Sequence, residues 1–314
     1  IVVFDKVEAL VKEFPNLALE RGLYFEETGQ SDEALKMYKQ ALDKAPNDVD
    51  LKLRIGSTQV AAGAGKQAEP ILKEVIRERS NSPEANHYLG RAMLISKSNL
   101  NEAMRYLKRA VELDPNRAEY HLYVGWAANE TGQPDIASSA LAKALELDSS
   151  MGDAYWQRGI LLQKQGRNAD AIKDLLIALE KRPSRYEAYV ALAFAYGDQQ
   201  NTTKCEEAWR SAIKGNDKIA DWHYQLGKVL ERKGDAKAAF AEIDKAVELA
   251  LTKEPKPGWL AHAHFALGEG YRATDKGKAV GHYKEYLRLA PVEDDFRVEA
   301  ERAVAQLKSS VPSR

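Results

Sequence analysis

The 314-residue chain contains a single cysteine, Cys205. One thiol cannot form an intramolecular disulfide, and it cannot supply the several cysteines of a structural zinc site. A disulfide-stabilised scaffold and a cysteine-rich metal site are therefore excluded. This composition is compatible with a reducing compartment and does not require one.

The sequence also lacks an excess of charge of either sign. It has 46 basic and 47 acidic side chains, for a formal net charge of −1. A protein whose main contacts are with nucleic-acid phosphates carries a basic surplus on its binding face. We therefore expect no nucleic-acid partner.

Long apolar runs are missing as well. The longest, such as 189–196, reach only about half of the roughly 18 residues that a membrane-spanning helix needs, so we expect no direct membrane insertion. The chain begins at Ile1 instead of methionine, and its opening IVVF is too short for the core of a signal peptide. We interpret the sequence as a fragment or a processed form. A cytoplasmic location is expected, and a periplasmic one stays open because the native N-terminus is missing.

Residue patterns of common catalytic and metal sites are absent. None of the six histidines belongs to an HExxH, CxxC or calcium-loop pattern. His121, His223 and His264 recur four residues before a small residue of the repeat described below, where a packing side chain is expected. Cys205 stands where the other units have alanine, which predicts a small buried residue. We expect no catalytic residue, no bound metal and no cofactor.

One glycine-rich segment, AGAGKQA at 62–68, invites comparison with a phosphate-binding loop. Such a loop needs Gly, four residues, Gly-Lys, and then Ser or Thr. Here Gln67 follows Gly65 and Lys66, and Val60 stands five residues before Gly65. The preceding residues have helical instead of strand periodicity. The segment is therefore predicted to be a turn between helices.

A period of 34 residues runs through the sequence. Every unit has a small residue that we number position 8 of its first helix: Gly22, Gly56, Gly90, Gly125, Gly159, Ala193, Gly227 and Gly268. Two further small residues recur in most units. In the first unit they are Ala34 and Ala41, which lie 12 and 19 residues after Gly22. Small side chains at facing positions let two helices pack with their axes roughly 8–10 Å apart. The pattern predicts eight helical hairpins in tandem.

Glycine and proline mark the ends of these helices. Glycines stand between the two helices of five units: Gly29, Gly63, Gly132, Gly166 and Gly234. A left-handed residue often ends a helix there, and glycine adopts that conformation at no steric cost. Prolines after the second helix in half of the units, Pro46, Pro115, Pro183 and Pro291, prevent its continuation.

Units such as RAEYHLYVGWAANETGQPDIASSALAKALELDSS, residues 117–150, resemble tetratricopeptide (TPR) repeats in their small, aromatic and proline positions. The resemblance covers residues 15–293. It implies an all-α fold, a right-handed α-solenoid of tandem TPR helix-turn-helix hairpins with terminal capping helices. The departures are local: an insertion at 96–99, Gln200 in place of a turn glycine, and a shortened turn at 273–278.

The predicted organisation has four parts. Residues 1–14 are an N-terminal capping helix or the remnant of a preceding repeat, 294–308 a C-terminal capping helix, and 309–314 a tail. Residues 15–293 are the TPR array, with a Pro-rich loop at 254–260. The repeats lie near 15–48, 49–82, 83–117, 118–151, 152–185, 186–219, 220–253 and 261–293.

The resemblance implies a concave groove on the side of the first helices that faces away from the second helices. The residues predicted to bind a partner there are Tyr88, Arg91, Tyr123, Trp126, Trp156, Phe194, Tyr224 and Lys228. Tyr, Trp and Arg dominate the binding energy of many interfaces. The alternative for each aromatic is packing between neighbouring first helices. Tyr123 and Trp126 are preferred as contacts because positions 6 and 9 are expected to lie further from those neighbours.

Two other features leave alternatives open. Acidic residues recur at position 2 of the first helices: Asp50, Glu84, Glu119, Asp153, Glu187 and Asp221. They either stabilise helix N-termini or bias the groove edge towards a basic partner. Trp259, at the end of the Pro-rich loop, is either an ordinary loop residue or an exposed contact for a partner.

The sequence therefore predicts a non-enzymatic scaffold that binds a peptide segment or helix of another protein in the groove and organises a multiprotein assembly. It lacks the lysine and asparagine positions of the family's chaperone-tail clamp and the asparagine ladder of glycosyltransferase-associated arrays. The alternative is the interaction arm of a longer polypeptide that carries an enzyme, a zinc-binding module or a membrane anchor. Self-association through the terminal repeats is a further option. The Ala-rich repeats suggest a bacterial protein.

Overall fold

The structure is a computed structural model, and it describes residues 17–253 and 255–309. Within these ranges the chain forms 17 α-helices and no β-strand. The all-α fold predicted from the 34-residue period is confirmed. The predicted capping segment 1–14 and residues 310–314 of the predicted tail lie outside the described residues.

The helices follow one another with short connections. In chain order they are α1 (Leu17–Glu27), α2 (Ser31–Lys44), α3 (Val49–Ala61), α4 (Gly65–Glu78), α5 (Pro83–Ser96), α6 (Leu100–Leu113), α7 (Ala118–Glu130), α8 (Pro134–Leu147), α9 (Gly152–Lys164), α10 (Asn168–Lys181), α11 (Tyr186–Asp198), α12 (Thr202–Gly215), α13 (Ala220–Lys233), α14 (Ala236–Ala250), α15 (Leu260–Tyr271), α16 (Lys276–Leu289) and α17 (Arg297–Ser309). Among the helices of the described ranges, none combines the length and the hydrophobicity that a bilayer crossing requires.

Consecutive helices pack as tandem hairpins. The paired helices are α1 with α2, α3 with α4, α5 with α6, α7 with α8, α11 with α12, α13 with α14, and α15 with α16. The second helix of a pair also packs against the first helix of the next, as α4 does against α5 and α14 does against α15. Helices such as α4 and α5 therefore bury apolar surface against two neighbours, which a single hairpin cannot do.

The chain divides into two compact units, Ile1–Leu161 and Leu162–Arg314, and the boundary falls within α9. The first unit has buried clusters that include Leu72 and Leu141. The second has buried clusters that include Ile243 and Tyr283. Each unit thus has its own apolar core.

The small residues at position 8 are explained by the closeness of the paired helices. A Cβ atom added to Gly90 would lie 2.6 Å from Cγ of Leu107 and 3.0 Å from the carbonyl oxygen of Ala103. A Cβ atom added to Gly125 would lie 2.6 Å from Cγ of Leu141. Real carbon atoms do not approach so closely, so in these two hairpins the second helix can reach its place only because the first has no side chain there.

The predicted turn glycines adopt the left-handed backbone conformation. All five, including Gly63 of AGAGKQA, have φ angles between +68° and +80°. Gln200, which replaces the glycine in the sixth unit, takes the same conformation at φ +57°, and Lys97 does so in the turn with the insertion at φ +53°. AGAGKQA is therefore a helix–helix turn, as predicted.

The helix that follows the last hairpin differs from its predicted limits. It begins at Arg297, three residues after the predicted 294, and Ser309, predicted to start the tail, is its final residue. Its buried residues include Ala300 and Leu307, which pack against the α15–α16 hairpin. Phe296, which lies within the predicted limits of the capping helix, precedes the observed helix and is 43% exposed.

Candidate protein-interaction site

The predicted partner contacts fall into the two units. Five lie in the first unit: Tyr88 and Arg91 on α5, Tyr123 and Trp126 on α7, and Trp156 on α9. Three lie in the second unit: Phe194 on α11, and Tyr224 and Lys228 on α13. The five residues of the first unit form a contact network, and we call them the aromatic face.

The rings of the aromatic face connect three first helices. Tyr123 and Trp126 are one helical turn apart and stack with ring centroids 5.6 Å apart at 16°. Trp126 in turn meets Trp156 edge-to-face at 5.4 Å and 78°. Both arrangements are favourable for aromatic pairs, and they fix the indole of Trp126 from two sides.

Arg91 joins α5 to α7 in the same network. Its Nη1 atom donates to Oε1 of Glu119 at 2.8 Å. Its guanidinium carbon lies 4.2 Å from the ring centroid of Tyr123 and 5.8 Å from that of Tyr88. These distances are within the range of cation–π attraction. The charge of Arg91 is thus balanced inside the chain, and its guanidinium holds two tyrosines in place.

A buried histidine lies beneath this ion pair. His87 is 1% exposed, and its ring contacts those of Tyr88, Tyr120 and Tyr123 at centroid distances from 4.7 to 5.2 Å. Burial lowers the pKa of His87, although the carboxylate of Glu119 is only 3.4 Å from its Nε2 atom. His87 is therefore neutral near pH 7 and serves as a packing residue.

The role of Glu119 was not part of the predicted site. Glu119 belongs to the acidic row at position 2, and it binds the position-9 residue of the preceding first helix, Arg91. The signal was available in the sequence, because Glu119 follows Arg91 by 28 residues: this repeat is 35 residues long from Gly90 to Gly125, and position 2 precedes position 9 by seven residues. Glu119 therefore pairs with Arg91 of the same chain, and it also lies near the N-terminus of α7, where a negative charge is stabilising.

The burial of two predicted contacts differs from expectation. Tyr123 is only 8% exposed, so the prediction that position 6 lies clear of neighbouring helices is wrong for this residue. It is covered by His87 and Arg91 of the preceding first helix. Trp156 is 7% exposed. The half-buried Tyr88 and Trp126 are the rings of the aromatic face that keep surface available to a partner.

The three predicted contacts of the second unit take part in separate interactions. Phe194 is 44% exposed and meets the buried Trp209 edge-to-face at 5.2 Å. Tyr224 stacks on Trp259 at 4.5 Å and 11°. Lys228 pairs with Glu231 one helical turn later.

Trp259, which the sequence left as either an ordinary loop residue or an exposed contact for a partner, is half-buried. Its indole stacks on Tyr224, and its Nε1 atom donates to Oδ1 of Asp221 at 2.7 Å. The end of the Pro-rich loop is therefore attached to the start of α13. Asp221, another member of the acidic row, also has an internal partner.

Other predicted packing residues can be compared directly. His223, His264 and Cys205 are buried, as predicted, whereas His121 is half-buried and contacts the carbonyl oxygen of Pro115 at 2.8 Å. In the part of the chain that the structure describes, no group of three or more His, Cys, Asp or Glu side chains is arranged to hold a metal ion.

The buried His264 predicts a loss of stability in mild acid. Its Nδ1 atom lies 3.0 Å from that of His282, and burial lowers its pKa from the ordinary 6.5 to about 4. Folding therefore favours the neutral ring, so its contribution is complete above about pH 6.5 and decreases as the pH falls towards 4. Between pH 7 and 5.5 we expect the free energy of unfolding to fall by about 1 kcal/mol through this group. Thermal unfolding of wild type and His264→Gln at both pH values measures the difference.

His223 provides the control for this pH dependence. The carboxylate of Glu242, 2.7 Å away, raises the pKa of His223. Its contribution is therefore present below its unfolded pKa and is lost as the pH rises. His223→Gln should change the pH profile in the opposite sense to His264→Gln. Equal changes in the two variants would contradict the assignment.

Sequence profiles of known families identify the repeat. Three profiles described as tetratricopeptide repeat match residues 27–93, residues 89–117, and the overlapping stretches 125–184, 156–203 and 190–252. The chain belongs to the tetratricopeptide repeat family. The aromatic face is therefore formed by the first helices of TPR hairpins.

Curated relatives resemble the TPR array along much of its length. The TPR repeat-containing protein YpiA of Bacillus subtilis is 24% identical over 231 residues, which are 71% of this chain and 52% of YpiA. Superkiller complex protein 3 of Homo sapiens is 19% identical over 315 residues, 87% of this chain and 20% of that protein. Protein O-mannosyl-transferase TMTC3 of Homo sapiens is 26% identical over 281 residues, 83% of this chain and 30% of TMTC3. The chain thus spans about half or less of the length of these relatives.

Solved structures share the fold. The chain superposes on a chain of the APC/C hetero-tetramer Cut9–Hcn1 with a TM-score of 0.64 at 16% identity, covering 93% of this chain and 55% of that one. For pilF of Pseudomonas aeruginosa the TM-score is 0.59 at 18% identity, covering 74% of this chain and 100% of that one. At these identities the likeness establishes the fold alone.

Proposed function

We propose that this TPR array is a non-enzymatic scaffold that binds a peptide segment or helix of a partner protein on the aromatic face. One observation carries the proposal. The indole of Trp126 is held between Tyr123 and Trp156, and it still keeps part of its surface accessible. A fixed aromatic ring loses little conformational entropy on binding and offers a large apolar contact.

The known relatives support a role in an assembly. The names of Superkiller complex protein 3 and of the APC/C hetero-tetramer denote multiprotein complexes. A repeat array is suited to this role because its stacked hairpins give an extended surface. The partner of this chain is proposed to be another protein, and the aromatic face is proposed as its first docking point.

The proposal predicts a selective loss of affinity when Trp126 is replaced. Proteins captured by the wild-type chain from native lysate, and lost with Trp126→Ala, would be purified as candidate partners. For a direct partner we expect Trp126→Ala to raise the Kd about 30-fold, because central aromatic contacts each contribute about 2 kcal/mol at many interfaces. Titration calorimetry with the purified partner measures this change.

Phe194→Ala is the matched control for this experiment. Phe194 occupies the same position 9 of a first helix, is 44% exposed and lies in the second unit. Phe194 was also predicted to contact a partner, but it is not part of the aromatic face, so the proposal expects its replacement to leave the Kd within about twofold of wild type. An unchanged Kd for a folded Trp126→Ala variant would show that the aromatic face is not the docking point.

A second candidate function is the interaction arm of a longer polypeptide with an activity elsewhere. The observation that favours it is the match to TMTC3, a transferase by name, of which the chain covers 30%. An antibody raised against this chain would report the mass of the native gene product. A product of about 35 kDa, the mass of the present chain, would exclude this candidate.

A further inference from the structure

Exposed apolar side chains are concentrated in one short segment of the second unit. Seven large hydrophobic residues are exposed among the described residues, and three of them lie in the connection from α16 to α17 and the first turn of α17. Val292 is 77% exposed, Phe296 43% and Val298 57%. We call residues 292–298 the apolar turn. Exposed apolar residues that gather in one segment are typical of interaction sites, whereas single exposed residues are common everywhere.

The apolar turn is held in place by its polar groups. Asp294 accepts hydrogen bonds from the hydroxyl of Tyr286 and, at 3.2 Å, from the backbone N–H of Phe296. Its other carboxylate oxygen lies 3.3 Å from Nε2 of His262. These contacts lower the pKa of Asp294, the hydrogen bond from Tyr286 most of all, so the carboxylate stays ionised.

Arg297 and Phe296 also hold the apolar turn in place. Arg297 donates to the carbonyl oxygens of Leu287 and Ala290 at 2.9 and 3.2 Å. The ring of Phe296 lies against that of Phe265 with centroids 4.8 Å apart. The exposed apolar side chains are thus presented by an ordered backbone, and a partner that binds them does not first have to order this turn.

The charges around the apolar turn indicate what kind of partner fits it. Residues 292–299 carry four acidic side chains, Glu293, Asp294, Asp295 and Glu299, and one basic side chain, Arg297. Arg297 is engaged by backbone carbonyls, whereas Glu293, Asp295 and Glu299 are exposed. The surface therefore combines apolar side chains with a net negative charge. Its complement is a segment with apolar and basic side chains on one side.

We propose that the apolar turn is a second docking surface, for a basic amphipathic segment of a partner protein. A second copy of this chain is a poor occupant, because a two-fold contact at this turn would bring identical acidic side chains together. The surface involves none of the residues of the aromatic face. It is therefore tested independently of the function proposed above.

The test uses a labelled model peptide, LKKLLKLLKKLLKL, and its counterpart with glutamate in place of every lysine. Fluorescence anisotropy with the whole chain should show saturable binding of the lysine peptide, weakened when NaCl rises from about 50 to about 500 mM. Val292→Ser combined with Val298→Ser should raise the Kd about tenfold, because apolar burial at two side chains is lost. Glu293→Lys combined with Asp295→Lys should raise it by a similar factor.

Control variants distinguish specific binding at the apolar turn from nonspecific binding of the peptide. Leu251→Ser removes another exposed apolar side chain of the same unit, 56% exposed, and should leave the Kd unchanged. Trp126→Ala should also leave it unchanged. The proposal is overturned if the glutamate peptide binds equally well, if no saturable binding occurs, or if the paired variants bind like wild type. Loss of binding in Trp126→Ala would overturn it too, as would a concentration-dependent dimer that the Val292 and Val298 changes abolish.

Discussion

Replacing Trp156 by alanine should lower the free energy of unfolding by roughly 3–5 kcal/mol, the usual cost of truncating a buried tryptophan. Its indole is 7% exposed and meets Trp126 edge-to-face. Removing it leaves a cavity within the aromatic face, and the rigid rings around it can close that cavity only in part. Urea denaturation followed by far-UV circular dichroism measures the loss.

Trp126→Ala is the comparison for this prediction. Trp126 is half-buried, so its truncation should cost about 1–2 kcal/mol, well below the cost at Trp156. The two tryptophans would then have separate roles, one mainly in folding and one mainly in binding. Equal losses of stability would mean that both rings serve packing, and the proposed docking point would lose its support.

Gly90→Ala should destabilise the chain by about 2 kcal/mol, although alanine is the better helix former. The added methyl group would lie 2.6 Å from Cγ of Leu107. The side chain of Leu107 could move, but the carbonyl oxygen of Ala103 at 3.0 Å belongs to the backbone of α6 and cannot give way independently. The two helices would have to separate, which loosens their shared core. The shift in denaturation midpoint reports this cost.

Gly281→Ala provides a matched control with the opposite expected sign. Gly281 is an exposed residue of α16, and an added Cβ atom would meet nothing within 4 Å. Alanine there should raise stability by about 0.5–1 kcal/mol through helix propensity alone. If Gly90→Ala were as stable as Gly281→Ala, the close approach of α5 and α6 would not be what requires a small residue at position 8.

The helices, their turns and their tandem pairing could be predicted because each depends on residues close together in sequence. A small residue at position 8 and a left-handed residue such as Gly63 act within one hairpin, and the 34-residue period repeats their effect. Gln200 shows a limit of this rule. It takes the left-handed conformation without being glycine, since the flanking helices determine the backbone of so short a turn.

The sequence predicted which residues lie in the candidate site better than it predicted how exposed their side chains are. Tyr123 and Trp126 were both expected to face a partner, yet Tyr123 is covered by Arg91 of the preceding first helix and Trp126 is not fully covered. Trp259 is half-buried because it stacks on Tyr224. In each case the covering side chain comes from another helix, in a rotamer that periodicity does not specify.

The amino-acid sequence by itself determined that this protein is an all-α array of TPR hairpins, because helix propensity, turn chemistry and close packing are local and repeat with the period. The tertiary structure alone decided which aromatic rings keep an accessible surface, and where exposed apolar residues gather beside α17. The physical reason is that exposure depends on which long side chains from neighbouring helices lie over a given residue. Those contacts exist only once the hairpins have packed.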